Sequence, residues 1–349
     1  MGLLRHYVDV VLTAAFLTPG ASSSATPSKQ KNTKPKPKKN RRQTLSTRPS
    51  SASTVVPQAP TAVVQSPPQR LCDLRILKTL APALFGEVLL CLDAATGRHV
   101  AVKRVDLCCA RAHVTVKTRV QVVESLTQER SVHHRLAAVQ TTNLLVLQEE
   151  VQCNNNLYLV FPFCSGGDLF HVVRHSPLDG RLPEATARRF LRDVVRGLLC
   201  LKQNGLAHRD ISLENVVLDA TGVCFVCDFG LATAYETRVA PGRVGKAWYM
   251  APEVFAATAS YSALPADIWS LGVLLAIMLT GAPLVDKPAL SDRHFCVLSQ
   301  GGGVRKLHRV FPRKLSDVTW DVLEQMLHVD PLRRPTLEQV AAHPFLSSR

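Results

Sequence analysis

Residues 206–230 read LAHRDISLENVVLDATGVCFVCDFG, and their spacing decides the fold. The polar cluster His208-Arg209-Asp210 is followed by Asn215, which opens an apolar run to Leu218. A turn signal at Asp219-Ala220-Thr221-Gly222 precedes a second apolar run, Val223 to Cys227, which ends in Asp228-Phe229-Gly230. Two short strands joined by a Gly-containing turn make a hairpin. Its ends bring Asp210, Asn215 and Asp228 together. One carboxylate can take a proton from a hydroxyl. The other carboxylate and the amide oxygen are hard ligands suited to Mg²⁺. These are the parts that phosphoryl transfer requires. The plainer alternative is a buried histidine with aspartates scattered in turns, and the rest of the chain bears on that choice.

The 349 residues allow two domains, or one bilobal domain with a tail. An apolar share of 46% suits a chain with a sizeable core. The net charge of +15 is uneven: residues 1–70 hold eleven Lys or Arg against the single acid Asp9. The basic character therefore belongs mostly to the tail. The ten cysteines show no secreted-framework spacing, and Cys91, Cys200 and Cys224 sit in apolar runs, as reduced packed thiols do. Cys224 and Cys227 are three apart on a strand and point to opposite faces, which argues against zinc or a disulfide there.

Residues 1–70 read as a disordered basic tail. Leu3, Leu4, Tyr7, Val8, Val11, Leu12, Ala15 and Phe16 share one helical face, so residues 2–17 can form a short amphipathic helix. It would dock on a membrane surface or on the folded domain, or serve as an organelle-targeting segment. From Pro19 to Pro68 the chain cannot bury enough apolar surface to order itself. The run Lys34 to Arg42 reads as a nuclear-localisation or polyanion-binding stretch, or as a solvated basic linker. The expected compartment is cytoplasmic or nuclear.

The order of the parts in residues 206–230 resembles the catalytic and metal loops of eukaryotic protein kinases. The resemblance covers residues 72–346 and implies an α+β, bilobal fold, with a small mainly β lobe at 72–161 and a larger mainly α lobe at 165–346. Leu80 to Leu90, LAPALFGEVLL, and His99 to Val105, HVAVKRV, then resemble the Gly-rich hairpin and lysine strand that hold ATP. Only the last of three glycines remains, as Gly86; Ala81 and Ala83 hold the other positions. An alanine forced into a left-handed conformation costs about 1–2 kcal/mol, which would weaken nucleotide binding. Ala81, Gly86 and Val88 would lie over the nucleotide, with Lys103 on its phosphates and Glu129 holding Lys103. Glu124 is the competing acid, and a helix is expected from Val120 to Ala138. Asn156 to Phe163 would lead to the hinge, with Phe161 closing the back pocket. Pro162 lacks an N–H, so Phe163 or Cys164 would meet adenine. Asp168 would bind ribose, cap a helix, or do both.

In the larger lobe, a helix is expected from Pro183 to Asn204, leading to Asp210 as base. Asn215 and Asp228 would ligate Mg²⁺. An apolar helix from Asp267 to about Leu279, too short to span a bilayer, would support the catalytic loop through Asp267. Met250-Ala251-Pro252-Glu253 would close the activation segment, and Arg334 would pair with Glu253. Thr233, Tyr235 and Thr237 are available for phosphorylation, but Gly242 occupies the usual activating position, so activity is expected without it. His343 to Leu346 closes the domain near the sequence end, so no calmodulin-binding or autoinhibitory extension is expected to follow.

One departure bears on mechanism. The resemblance implies a lysine two residues after Asp210, where this chain has Ser212, and a threonine after Gly245, where it has Lys246. Lys246 is therefore expected to supply the missing ammonium beside Asp210, the plainer alternative being a solvated loop lysine and a tolerated Ser212. The resemblance implies a Ser/Thr protein kinase using ATP and Mg²⁺ on protein substrates, closest to the calmodulin-dependent and cyclic-nucleotide-dependent groups. Glu214 would favour basic residues near the acceptor. The arginine that follows the base in tyrosine kinases is missing. Ala81, Ala83 and Ser212 keep open the alternative of a pseudokinase acting as a scaffold or activator.

Overall fold

The computed structural model describes residues 68–309 and 315–347. The amphipathic face at 2–17 and the basic run at 34–42 lie outside them. A short helix α1 (Gln69–Cys72) leads into β1 (Leu74–Ala83), β2 (Gly86–Asp93) and β3 (Arg98–Asp106). With β4 (Glu149–Cys153) and β5 (Asn156–Pro162) these make a five-stranded antiparallel sheet in the order β1-β2-β3-β5-β4. Arg70, counted above with the tail, anchors α1 to the sheet: its guanidinium donates to Asp93 at 2.8 Å and to Glu149 at 2.6 Å.

Helix α2 (Leu107–Ala112) follows β3, and the first residue of α3 (Leu126–Ala137), Leu126, packs with Val105, Leu107 and Leu159. The helix expected from Val120 starts only at Leu126. Residues 120–125 form no helix, and Gln121 pairs with Val114 in an antiparallel bridge instead. The β-branched Val120, Val122 and Val123 favour that conformation. Ser125 then caps α3 by accepting from the Gln128 N–H at 3.3 Å.

The larger lobe begins with β6 (Gly167–Asp168) and α4 (Leu169–Arg174), then α5 (Glu184–Gln203). Gly205 just beyond it has φ +70°, the left-handed turn that ends many helices. Strand β7 (Leu206–Ala207) follows, and β8 (Val216–Leu218) and β9 (Cys224–Val226) form the expected hairpin with β6 at its edge. A pair formed with β7 by β10 (Thr233–Ala234) starts the activation segment, and α6 (Pro252–Ala256) ends it.

Helix α7 (Ala263–Thr280) starts four residues before the expected Asp267 and is 18 residues long. By length and composition it could cross a membrane, contrary to the expectation that it is too short. In this fold 83% of it is buried, and it forms the centre of the large lobe. Ile268, Trp269, Leu271 and Leu274 to Met278 pack there with α5 and with α9 (Asp317–Met326), which follows α8 (Arg293–Val297). The C-terminal α10 (Leu337–Ala342) and α11 (Pro344–Ser347) close this lobe.

Candidate active site

The cleft is built from β3, α3 and the two ends of the β8–β9 hairpin. Lys103 on β3 donates to Glu129 Oε1 of α3 at 2.5 Å, and lies 4.0 Å from Asp228 Oδ1. Glu129 is buried. Burial opposes the Lys103 charge, but Glu129 and Asp228 outweigh it and raise its pKa. Glu129 is thus the lysine's partner. Glu124, the competitor, sits instead against Gly230, with the neighbouring Ser125 N–H donating to the Gly230 carbonyl at 3.1 Å. Burial raises the Glu124 pKa, and the facing carboxylates of Asp210 and Asp228 add to it.

The catalytic loop hangs from α7. Asp267, buried in that helix, accepts from the backbone N–H groups of His208 and Arg209, each at 2.8 Å. Asp210 Oδ2 accepts from Asn215 Nδ2 at 2.7 Å and from Lys246 Nζ at 3.2 Å. Among the described residues, Asp210 Oδ1 is buried and has no hydrogen-bond partner. Asn215 Nδ2 also donates to the Asp210 carbonyl at 2.8 Å, so the amide nitrogen is the atom this side chain spends on the catalytic loop. The Lys103 ammonium holds the Asp228 pKa below the ordinary carboxylate value, against burial and helped by Lys246. An ionised carboxylate and an amide oxygen on facing ends of one hairpin are a donor set that fits a hard divalent cation. Both Arg209 (φ +68°) and Asp228 (φ +66°) are held in the left-handed region, at about 1–3 kcal/mol each. Such strain is concentrated at functional sites.

The Gly-rich hairpin departs from expectation. Ala81 and Ala83 lie in β1 opposite Val88 and Gly86, and neither has a positive φ. The penalty expected for left-handed alanine does not arise. Gly86 is required for a different reason: a Cβ there would lie 1.9 Å from the Arg104 carbonyl of β3. The tip residue Phe85 is buried with Val105, Leu107, Leu159 and Phe161. The stretch 108–121, in which no motif is legible, clasps this tip through the Val116 N–H, which donates to the Leu84 carbonyl at 2.9 Å.

At the hinge, Pro162 ends β5, and the Cys164 carbonyl accepts from Gly167 N–H at 3.2 Å. The Phe163 ring stands edge-on to His99, with centroids 6.2 Å apart. Burial pushes the Cys164 thiol up to about 11. Asp168 caps α4, accepting from His171 N–H at 2.6 Å, so the capping role is the one that appears. Glu253 and Arg334 form the expected pair, which is bidentate at 2.7 and 2.8 Å. Tyr261 was not singled out in the sequence. Its buried hydroxyl accepts from Arg209 Nε and Nη2 at 3.1 and 2.9 Å, and it pairs with Val239 of the activation segment. No spacing rule points to that contact, because Tyr261 precedes α7 and Arg209 precedes the hairpin.

The family model described as protein kinase domain matches residues 76–346. The chain is 30% identical over 285 residues to protein kinase kin1 of Schizosaccharomyces pombe, covering 77% of this chain and 30% of that protein. It is 30% identical to NUAK family SNF1-like kinase 2 of Rattus norvegicus, over 76% of this chain and 39% of the relative. It is 33% identical to CBL-interacting protein kinase 4 of Oryza sativa subsp. japonica, over 76% of this chain and 56% of the relative. The chain thus spans between about a third and just over half of the length of these relatives. With the family model matched across both lobes and the cleft assembled between them, this chain belongs to the protein kinase domain family.

Proposed function

We propose that this protein is an active serine/threonine kinase that transfers the γ-phosphoryl group of ATP to protein hydroxyls. The observation that carries this reading is the orphaned, buried Asp210 Oδ1, opposite an oxygen already fixed by Asn215 and Lys246. A buried carboxylate oxygen without a partner is costly unless a ligand supplies one. An acceptor hydroxyl is that ligand, and Asp210 takes its proton. Lys103, locked by Glu129, orients the α- and β-phosphates. Ala81, Gly86 and Val88 of the β1–β2 hairpin cover the nucleotide, Phe163 and Cys164 flank its adenine, and Asp168 lies beside its ribose. Asn215 and Asp228 would hold Mg²⁺, which would neutralise charge developing on the phosphate oxygens. The relatives named as kinases favour the same activity. Neither alanine of the hairpin is strained, which weakens the case for a scaffold without catalysis.

The substrate reading is tested with paired peptides that differ only in Ser or Tyr at the acceptor, flanked by arginines. Phosphate should appear on the serine peptide and be lost in Asp228→Asn, whose thermal shift with ATP and Mg²⁺ should also shrink. Transfer to the tyrosine peptide alone, or an Asp228→Asn variant as active as the wild type, would contradict the assignment.

A further inference from the structure

The cleft holds a cation that comes from the activation segment rather than from the catalytic loop. Lys246 Nζ donates to Ser212 Oγ at 2.8 Å and to Asp210 Oδ2 at 3.2 Å. Ser212 is fully buried, so its hydroxyl acts as a fixed stop for the ammonium. The Lys246 side chain is 27% exposed, open on one side of the cleft.

The segment is shaped to deliver it. Gly245 has φ +79°, and a Cβ there would lie 3.0 Å from the Arg209 carbonyl and 3.1 Å from Asp210 Oδ1. Glycine alone lets the segment backbone press against the catalytic loop at that point. On the other side, the Lys246 carbonyl accepts from Tyr249 N–H at 3.0 Å. The Tyr249 hydroxyl accepts from Leu213 N–H at 3.3 Å, and Ser270 Oγ of α7 donates to the Tyr249 carbonyl at 2.7 Å. Lys246 is thus held between two attachments to the loop that carries the base. Burial works against its charge, but the carboxylates of Asp210, Glu214 and Asp228 outweigh it and raise its pKa.

We propose that Lys246 is a catalytic residue whose ammonium binds the phosphoryl group in transit, with Ser212 as its positioning residue. The assignment rests on the kinase reading above. In the step, the acceptor oxygen bonds to the γ-phosphorus and the bond to the β–γ bridging oxygen breaks, its electron pair leaving on ADP. The hydroxyl proton passes to Asp210 Oδ1. Lys246 stays protonated throughout and offsets charge on the transferring oxygens. Because the ammonium rides on residues 242–249, a displaced segment would remove it, whereas the Lys103–Glu129 pair belongs to β3 and α3. Nucleotide binding and turnover are therefore separable by the order of that segment.

The test uses the full chain with a serine peptide and compares Lys246→Thr, Lys246→Gln and the double variant Ser212→Lys/Lys246→Thr. Both single variants should lose about 10²–10³ in kcat, the scale for removing one transition-state donor, with KM for ATP little changed. The preference for ATP over its γ-thio analogue should fall in both, since sulfur is a poor partner for the ammonium that has been removed. The double variant should recover most of the turnover. Glutamine keeps polar reach toward Ser212 and Asp210, so its loss measures charge rather than segment order. Wild-type turnover in Lys246→Gln would overturn the assignment. So would a double variant as slow as Lys246→Thr with the wild-type proteolysis pattern across the segment. A wild-type protein that transfers no phosphate refutes the kinase reading itself, and this assignment with it. An active wild type with unaffected variants refutes this assignment alone.

Discussion

His133 shows how a single residue can tie the cleft to pH. It lies on α3, is 1% exposed, and its ring stands 5.1 Å from the centroids of both Phe161 and Phe229. Phe229 in turn meets the His208 ring at 5.6 Å, so these rings form a column behind the cleft. Burial, then the Lys103 ammonium, lower the His133 pKa from 6.5 to about 4. The unfolded chain binds this proton near pH 6.5, the folded chain only near pH 4. Between those values the unfolded state holds more protons, so stability falls as the pH drops through that window. The effect is on the order of 3 kcal/mol when complete. His133→Leu should flatten that part of the pH profile in denaturant titrations from pH 7 to 4. The same slope in wild type and variant would contradict the assignment. Little of this was legible beforehand, because a histidine inside a helical pattern gives no sign of what its ring will touch. Asp210, Asn215, Asp228, Lys103 and Glu129 were legible, because each has its place in a spaced set.

At the scale of elements, legibility followed local pattern. The β8–β9 hairpin and α5 appear where their runs and turn residues put them. The start of α3 was misjudged because the helix-forming stretch was carried back into β-branched residues that the chain leaves non-helical. The start of α7 lies ahead of the expected Asp267, with Pro265 inside its first turn, where proline is tolerated. The Gly-rich hairpin shows the limit of comparing residues one by one. Two missing glycines suggested strain, but the backbone simply remains extended there. What holds its tip is Phe85, 5% exposed, together with the clasp from 108–121. Phe85→Ala should cost about 3–5 kcal/mol in denaturation and raise KM for ATP more than it lowers kcat. A change under about 1 kcal/mol would mean that the tip is not anchored by this side chain.

For the whole molecule, the two lobes and the place of the cleft could be read in advance because the motifs come in a fixed order along 72–346. How they are held could not. The catalytic loop depends on α7 through Asp267, and the end of the activation segment depends on the C-terminal region through Glu253 and Arg334. These contacts join residues 58 to 81 positions apart, beyond the reach of any periodicity. They also stabilise the arrangement that leaves Asp210 Oδ1 buried without a partner among the described residues, beside the Gly245 backbone, and the role proposed for that oxygen is the central claim. The most direct measurement is radiolabelled γ-phosphate transfer to an arginine-flanked serine peptide by the wild-type chain and by Asp210→Asn, with Mg²⁺ present and both proteins shown to be folded by their melting curves. The account predicts transfer by the wild type and a loss of at least about 10² in the variant, at the lower end of what a positioned base contributes. A folded wild type that transfers nothing, or an Asp210→Asn variant that transfers as fast, would contradict it.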